Sequence, residues 1–151
     1  MQNITWQLCR FQELKVEQLY AILRARSAVF VVEQNCPYLD MDDADQDSLH
    51  LIAWSEDQQA AAYLRIVPPG LKYPEASLGR VITSQFARGT GIGKELLTRG
   101  VAACLAQHPT HSIRIGAQQY LEKFYQSFGF VTVSDMYLED DIAHVEMLLT
   151  A

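Results

Sequence analysis

The chain is short of four things, and each shortage narrows what it can be. Its three cysteines, Cys9, Cys36 and Cys104, stand far apart with no C-x-x-C pair, which gives neither a disulfide framework nor a zinc site. Apolar runs such as Ala28 to Val32 fall far below the ~20 residues that cross a bilayer. The opening Met1-Gln2-Asn3-Ile4-Thr5-Trp6 lacks the basic start and apolar core of a secretory signal. Positive charge is also scarce: 12 Lys and Arg against 18 Asp and Glu give a net charge of -6, the wrong sign for a broad DNA- or RNA-binding face. What remains is globular, with 49% hydrophobic and 20% charged residues in 151. A chain of that length suits one domain that buries roughly two-thirds of the surface its unfolded form exposes. The expectation is a single cytoplasmic domain over residues 1–151, with no membrane, nucleic-acid or metal partner.

No repeat or linker divides the chain, and its hydrophobic periodicity sets out the elements. Ile4 to Cys9 alternates as an opening strand. Val16, Leu19, Leu23, Ser27 and Phe30 recur at helical spacing from Lys15 to about Val32, and Pro37 closes that region. After an aspartate-rich stretch, His50–Trp54 and Ala60–Val67 read as a hairpin joined by the polar Ser55–Gln59. Pro68-Pro69-Gly70 then breaks the chain. The second half reads as strand Ser77–Thr83, helix Gly91–Ala106, strand Ser112–Ala117, short helix Leu121–Phe128, and closing strands Phe130–Val133 and His144–Leu149. This order predicts an α/β fold, a mixed sheet with helices on both faces.

Chemistry concentrates at Arg88-Gly89-Thr90-Gly91-Ile92-Gly93-Lys94, between a strand and a helix. The first N–H groups of a helix lack carbonyl partners and sit at its positive end. Glycine lets an anion approach them without meeting a Cβ, and Arg88 and Lys94 add charge. The turn is therefore a candidate phosphate or pyrophosphate site. A Walker loop is excluded, because Arg88 stands where its first glycine belongs and Glu95 where its Ser/Thr belongs. The dinucleotide fingerprint matches in its first half only, with the third glycine one residue early, and a dinucleotide-dependent oxidoreductase stays an alternative.

The same turn resembles the R/Q-x-x-G-x-G/A signature of the GNAT (Gcn5-related) N-acetyltransferases. Downstream, Phe124-Tyr125-Gln126-Ser127-Phe128-Gly129-Phe130 resembles that family's F-Y-x-x-x-G-F segment. Arg26-Ser27-Ala28-Val29-Phe30-Val31-Val32-Glu33-Gln34-Asn35-Cys36-Pro37-Tyr38, the aspartates and His50 after it, and Gly116-Ala117-Gln118 are similar to the ElaA-like subgroup. The resemblance spans nearly the whole chain. It implies the acyl-CoA N-acyltransferase fold, a mostly antiparallel sheet in which a parallel strand pair, ending near Thr83 and Ala117, splays apart. It further implies acetyl-CoA as cosubstrate, with Val81, Ile82 and Thr83 bonding the pantetheine arm. The residues Arg88, Gly89, Thr90, Gly91, Ile92, Gly93 and Lys94 would hold the pyrophosphate. Gln118 stands where many members carry an arm-binding Asn. Tyr125 matches the tyrosine that protonates the departing thiolate, while as a bare sequence signal, without the motif, it reads as a core aromatic among Tyr120, Phe124 and Phe128.

The reaction so implied is direct attack by an amine, which arrives protonated at a pKa of about 10.4 if it is lysine-like and must lose that proton. Glu33, His50 and His144 are the candidate bases, alongside a water relay. Small amines, polyamines, aminoglycoside-like amines and protein lysines all suit an acidic enzyme. Many members of the family are dimers, and a homodimer is compatible with the sequence. A non-catalytic acyl-CoA or nucleotide-binding module on the same fold is the competing reading. Among the aspartates 40–47 an EF-hand fails, with Ser48 in place of its glycine and Trp54 in place of its glutamate, leaving a solvated acidic loop as the expectation. Cys36 reads as a half-buried thiol rather than a nucleophile.

Overall fold

Alternation in the central hairpin decides the architecture. In the computed structural model, which describes residues 3–151, β1 (Thr5–Arg10), β2 (Leu49–Trp54), β3 (Ala60–Val67) and β4 (Ser77–Thr83) form one antiparallel sheet in sequence order. On β2, Leu51 and Ala53 join one buried cluster while Ile52 and Trp54 join another on the opposite face. Helix α1 (Val16–Arg26) supplies Ile22 to the second cluster; α2 (Ile92–Gln107) supplies Leu96, Leu97 and Cys104 to the first. Covered on both sides, β3 is buried along its whole length. The close seating of α2 on β3 requires Gly100, where a Cβ would lie 2.6 Å from Leu64 Cδ2.

A second antiparallel sheet holds β5 (Ile113–Gln118), β8 (Ile142–Leu149) and β6 (Val131–Thr132), with β7 (Tyr137–Glu139) also on β8. The two sheets meet at one parallel bridge, Ala76 to Ile113, where Arg114 N–H donates to Ala76 O at 2.9 Å. The Arg114 guanidinium ties the same corner to Glu75 and Glu146 at 3.0 and 2.9 Å. Past this corner β4 and β5 separate, as the expected parallel pair does. Opposite Leu64, β4 carries an extra residue: Tyr63 faces Ile82 but Arg65 faces Gly79, so Arg80 and Val81 form a bulge, with Arg80 at φ +50°.

Several boundaries depart from expectation. The first helix is α-helical only to Arg26; Ser27–Glu33 winds as a π-helix, with Gln34 and Cys36 N–H groups bonding back to Val29 and Val31. The last helix, α3, is confined to Glu122–Gln126, preceded by a 3₁₀ turn at Gln119–Leu121, and the strand expected at Phe130–Val133 shrinks to Val131–Thr132. β7 was not anticipated: Leu138 and Glu139 are exposed, and three residues carry little periodicity.

The aspartate loop overturns the expectation of a solvated stretch. Asp40 and Asp45 are buried, and they pair with the buried Arg26 at 2.7 and 2.8 Å. Arg65 holds Asp42 and Asp45 at 2.6 and 2.9 Å, and Arg80 reaches Asp40 at 2.8 Å. Three arginines from α1, β3 and the β4 bulge thus neutralise a loop that local sequence reads as acidic. Burial alone would raise the pKa of Asp42 and Asp45. The hydrogen bonds from Arg65 and Lys72 to Asp42, and from Arg26 and Arg65 to Asp45, outweigh it and hold both carboxyls below the usual range.

Because folding lowers these two pKa values, the stability they contribute is complete above the unfolded value of about 3.9 and drains away as pH falls below it. Asp45→Asn removes one carboxylate from two buried guanidiniums that keep Asp40 and Asp42, and should cost about 1–3 kcal/mol in urea unfolding at pH 7. The gap from the parent should narrow below pH about 3; an equal gap at both pH values would contradict the coupling.

Candidate active site

A cleft of about 820 Å³ opens where β4 and β5 part. β4 pairs with β3 along one edge and β5 with β8 along one edge, so the edges facing each other across the cleft leave main-chain groups free to bond a ligand. Val81, Ile82 and Thr83 line it from β4, and Gly116 and Gln118 from β5.

At its mouth the glycine turn adopts the shape its residues allow. Gly89 and Gly91 both have φ +81°, and a Cβ on either would meet nothing within 4 Å. Gly91 caps α2, whose first bond runs from Glu95 N–H to Gly91 O. The N–H groups of Ile92, Gly93 and Lys94 have no acceptor among the described residues, and these three residues line the cleft. Thr90 is placed differently from the rest of the turn. Its hydroxyl donates to Ala87 O and fixes the preceding 3₁₀ turn, and the residue does not line the cleft. Arg88 lies across the mouth, donating to Thr83 O at 3.0 Å and to Glu33 Oε1 at 2.7 Å.

Deeper in, Tyr125 is 5% exposed and packs edge-on against Phe124 and Phe130, so the core and functional readings describe one residue. Its ring lines the cleft, and its hydroxyl has no hydrogen-bond partner among the described residues. Burial, reinforced by Tyr120, pushes the phenol pKa above its ordinary value, so the group keeps its proton.

Of the three candidate bases, the structure brings two to the cleft. His144, 7% exposed, is the third residue of β8, opposite Gln118, and stacks on Tyr137 at 5.8 Å. Its Nδ1 lies 2.7 Å from Ile142 O. A carbonyl only accepts, so Nδ1 carries the hydrogen, and the lone pair of the neutral ring is on Nε2, 3.6 Å from Glu139 Oε2. Glu33 lines the cleft but is ion-paired with Arg88. His50 is sealed away from it, accepting from Tyr63 Oη at 2.6 Å and donating to Asp45 O at 2.9 Å. Cys36 is buried at the cleft wall, its thiol donating to Asp140 O at 3.4 Å. Desolvation, then Asp140 and Asp141, raise its pKa and keep it a thiol.

Sequence reasoning missed Gln34, Glu139 and Arg80 as cleft residues. Gln34 and Gln118 exchange two amide hydrogen bonds, at 3.3 and 3.2 Å, across the cleft. Gln34 stands inside the segment that carried the family resemblance, which was the available signal; Glu139 and Arg80 reach the site through a turn and a bulge that periodicity does not reveal.

Residues 14–151 match the profile of the acetyltransferase (GNAT) domain. The chain belongs to the GNAT family. It is 43% identical to the protein ElaA of Escherichia coli over 146 residues, 95% of each chain. The crystal structure of E. coli ElaA superposes with a TM-score of 0.91 over 97% of this chain and 99% of that one, at 42% identity. An acyl-CoA N-acyltransferase from Pseudomonas aeruginosa superposes with a TM-score of 0.92 at 39% identity, covering 98% of this chain and all of that one. The GNAT fold is thereby that of the acyl-CoA N-acyltransferases, and the site fits such a ligand: an unsatisfied amide run for a diphosphate, two free strand edges for an amide-bearing arm, and a cavity between them. No helix among the described residues is long and apolar enough to cross a membrane.

Gly91→Ala places a methyl in the open space above the turn, where the folded protein offers no clash and the left-handed φ costs roughly 1–2 kcal/mol. Calorimetric affinity for CoA should fall by about tenfold, the loss of one charge-assisted hydrogen bond. An unchanged affinity would place the diphosphate elsewhere.

Proposed function

We propose that the chain is a single N-acetyltransferase domain that transfers the acetyl group of acetyl-CoA to a primary amine, by direct attack. The observation that carries this reading is that a turn of unpartnered amides and the unpartnered hydroxyl of the mostly buried Tyr125 line one cleft between two diverging strand edges. The bound thioester supplies the activated carbonyl; the rest falls to the chain.

The amides of Ile92, Gly93 and Lys94, with the cations of Lys94 and Arg88, hold the diphosphate. The free edge of β4 from Val81 to Thr83 orients the arm, and a main-chain N–H of this stretch polarises the thioester oxygen. Gln118 offers its amide to the arm from the opposite wall. Tyr125 serves as the acid. A phenol kept protonated by burial donates to a thiolate that the same dry surroundings make more basic, so the transfer stays matched. His144 serves as the base, taking the ammonium proton at Nε2 while Nδ1 stays anchored on Ile142 and Glu139 faces the resulting imidazolium. Glu33, once Arg88 turns to the diphosphate, is a carboxylate free to meet the incoming cation. The acceptor is a small-molecule or protein amine.

Thiol release from acetyl-CoA across a panel of amines tests the proposal. Tyr125→Phe should lower kcat by about 10²-fold or more, with the KM for acetyl-CoA nearly unchanged. His144→Ala should lower kcat by about 10²-fold, with the KM for acetyl-CoA nearly unchanged. CoA binding with no turnover, indifferent to Tyr125→Phe, would favour a non-catalytic acyl-CoA-binding module.

A further inference from the structure

Two adjacent residues at the end of the π-helix grip opposite walls of the same cleft. Glu33 holds Arg88, at the mouth of the amide turn beyond β4, at 2.7 Å. Gln34 holds Gln118, the last residue of β5, through a reciprocal pair of amide bonds at 3.3 and 3.2 Å. Arg88 is fixed a second way, to Thr83 O, so the π-helix end, the phosphate turn and β5 are joined across the gap. Each group in this bridge has a second use if the cleft takes an acyl-CoA. Arg88 is a cation at the mouth of the amide turn, and Gln118 is the polar side chain at the end of the free β5 edge.

We infer that Glu33 and Gln34 form a latch across the cleft that acyl-CoA must displace in order to bind. The cosubstrate opens it by substitution: a phosphate replaces Glu33 on Arg88, and an amide of the pantetheine arm replaces Gln34 on Gln118. This inference rests on the acyl-CoA reading of the cleft and adds a regulatory role for residues that do not themselves bind the cosubstrate. The energetics favour a latch over a permanent lock. Arg88 and Glu33 are 45% and 33% exposed at the side chain, and such pairs contribute little in water. A doubly charged diphosphate competes well for the same guanidinium. The π-helix supplies a release: its i→i+5 bonds at Gln34 and Cys36 are one residue out of α register, so the segment can shift by a residue without losing its hydrogen bonding.

A latch makes a prediction of unusual sign. If only the unlatched population binds, apparent affinity is reduced by the latched fraction, and removing the latch must tighten binding. Calorimetric titration with CoA, without acceptor, reads this directly. Glu33→Gln and Gln34→Ala should each bind CoA about two- to fivefold more tightly than the parent, the range set by an exposed ion pair or a single exposed amide pair. In an Arg88→Ala background, Glu33→Gln should no longer tighten binding, since its partner is gone. Two variants at separate residues keep the test independent of either one folding poorly. A parent that binds CoA while both variants bind it equally or more weakly overturns the latch and leaves the acyl-CoA reading intact. A parent that does not bind CoA at all overturns that reading and the latch with it.

Discussion

One main-chain contact governs the site: the bond from Arg114 N–H to Ala76 O, at the parallel bridge between the sheets. A parallel pair held along its length would bury its hydrogen-bonding groups in a ladder. Held at one end, it yields two walls of unspent donors and acceptors with a wedge between them. Arg114, clasping Glu75 and Glu146, reinforces that end with side-chain bonds. The far end is kept apart by what fills it, with Tyr125 and its aromatic neighbours beside β5 and the bulge at Arg80 on β4. The cleft is thus a consequence of pairing that begins and then stops.

The arginine–aspartate network performs the corresponding task on the other side. It fastens the loop 40–47 to α1, β3 and the β4 bulge, and with it the π-helix end that reaches across the cleft. Arg80 links the two, pairing with Asp40 while its guanidinium lies 5.9 Å from the Phe30 ring. Buried charges of this kind are poor sources of net stability but costly to break singly, which makes them effective at fixing one arrangement of a loop.

Much of this could be read from residues alone, for identifiable reasons. The amide turn was legible because Gly89 and Gly91 are used where φ is positive, and Tyr125 because its segment matches a family pattern. The hairpin and β4 followed from alternation and from Pro68-Pro69-Gly70. The network was not legible: Arg26, Arg65 and Arg80 are distant in sequence, and an aspartate-rich loop carries no local sign that three cations will meet it. Periodicity could not separate α from π winding at Ser27, since both place Phe30 and Val29 inward over so short a run. His144 and Glu33 were named from position, yet only coordinates reveal which nitrogen of His144 is free and which cation occupies Glu33.

The central claim is that the main-chain N–H groups opening α2 receive a CoA diphosphate. Amide proton–nitrogen NMR spectra recorded during a CoA titration test it most directly. The account predicts that Ile92, Gly93 and Lys94 show the largest downfield proton shifts, with phosphate-dependent protection from exchange. Saturable CoA binding that leaves those three resonances in place would contradict it.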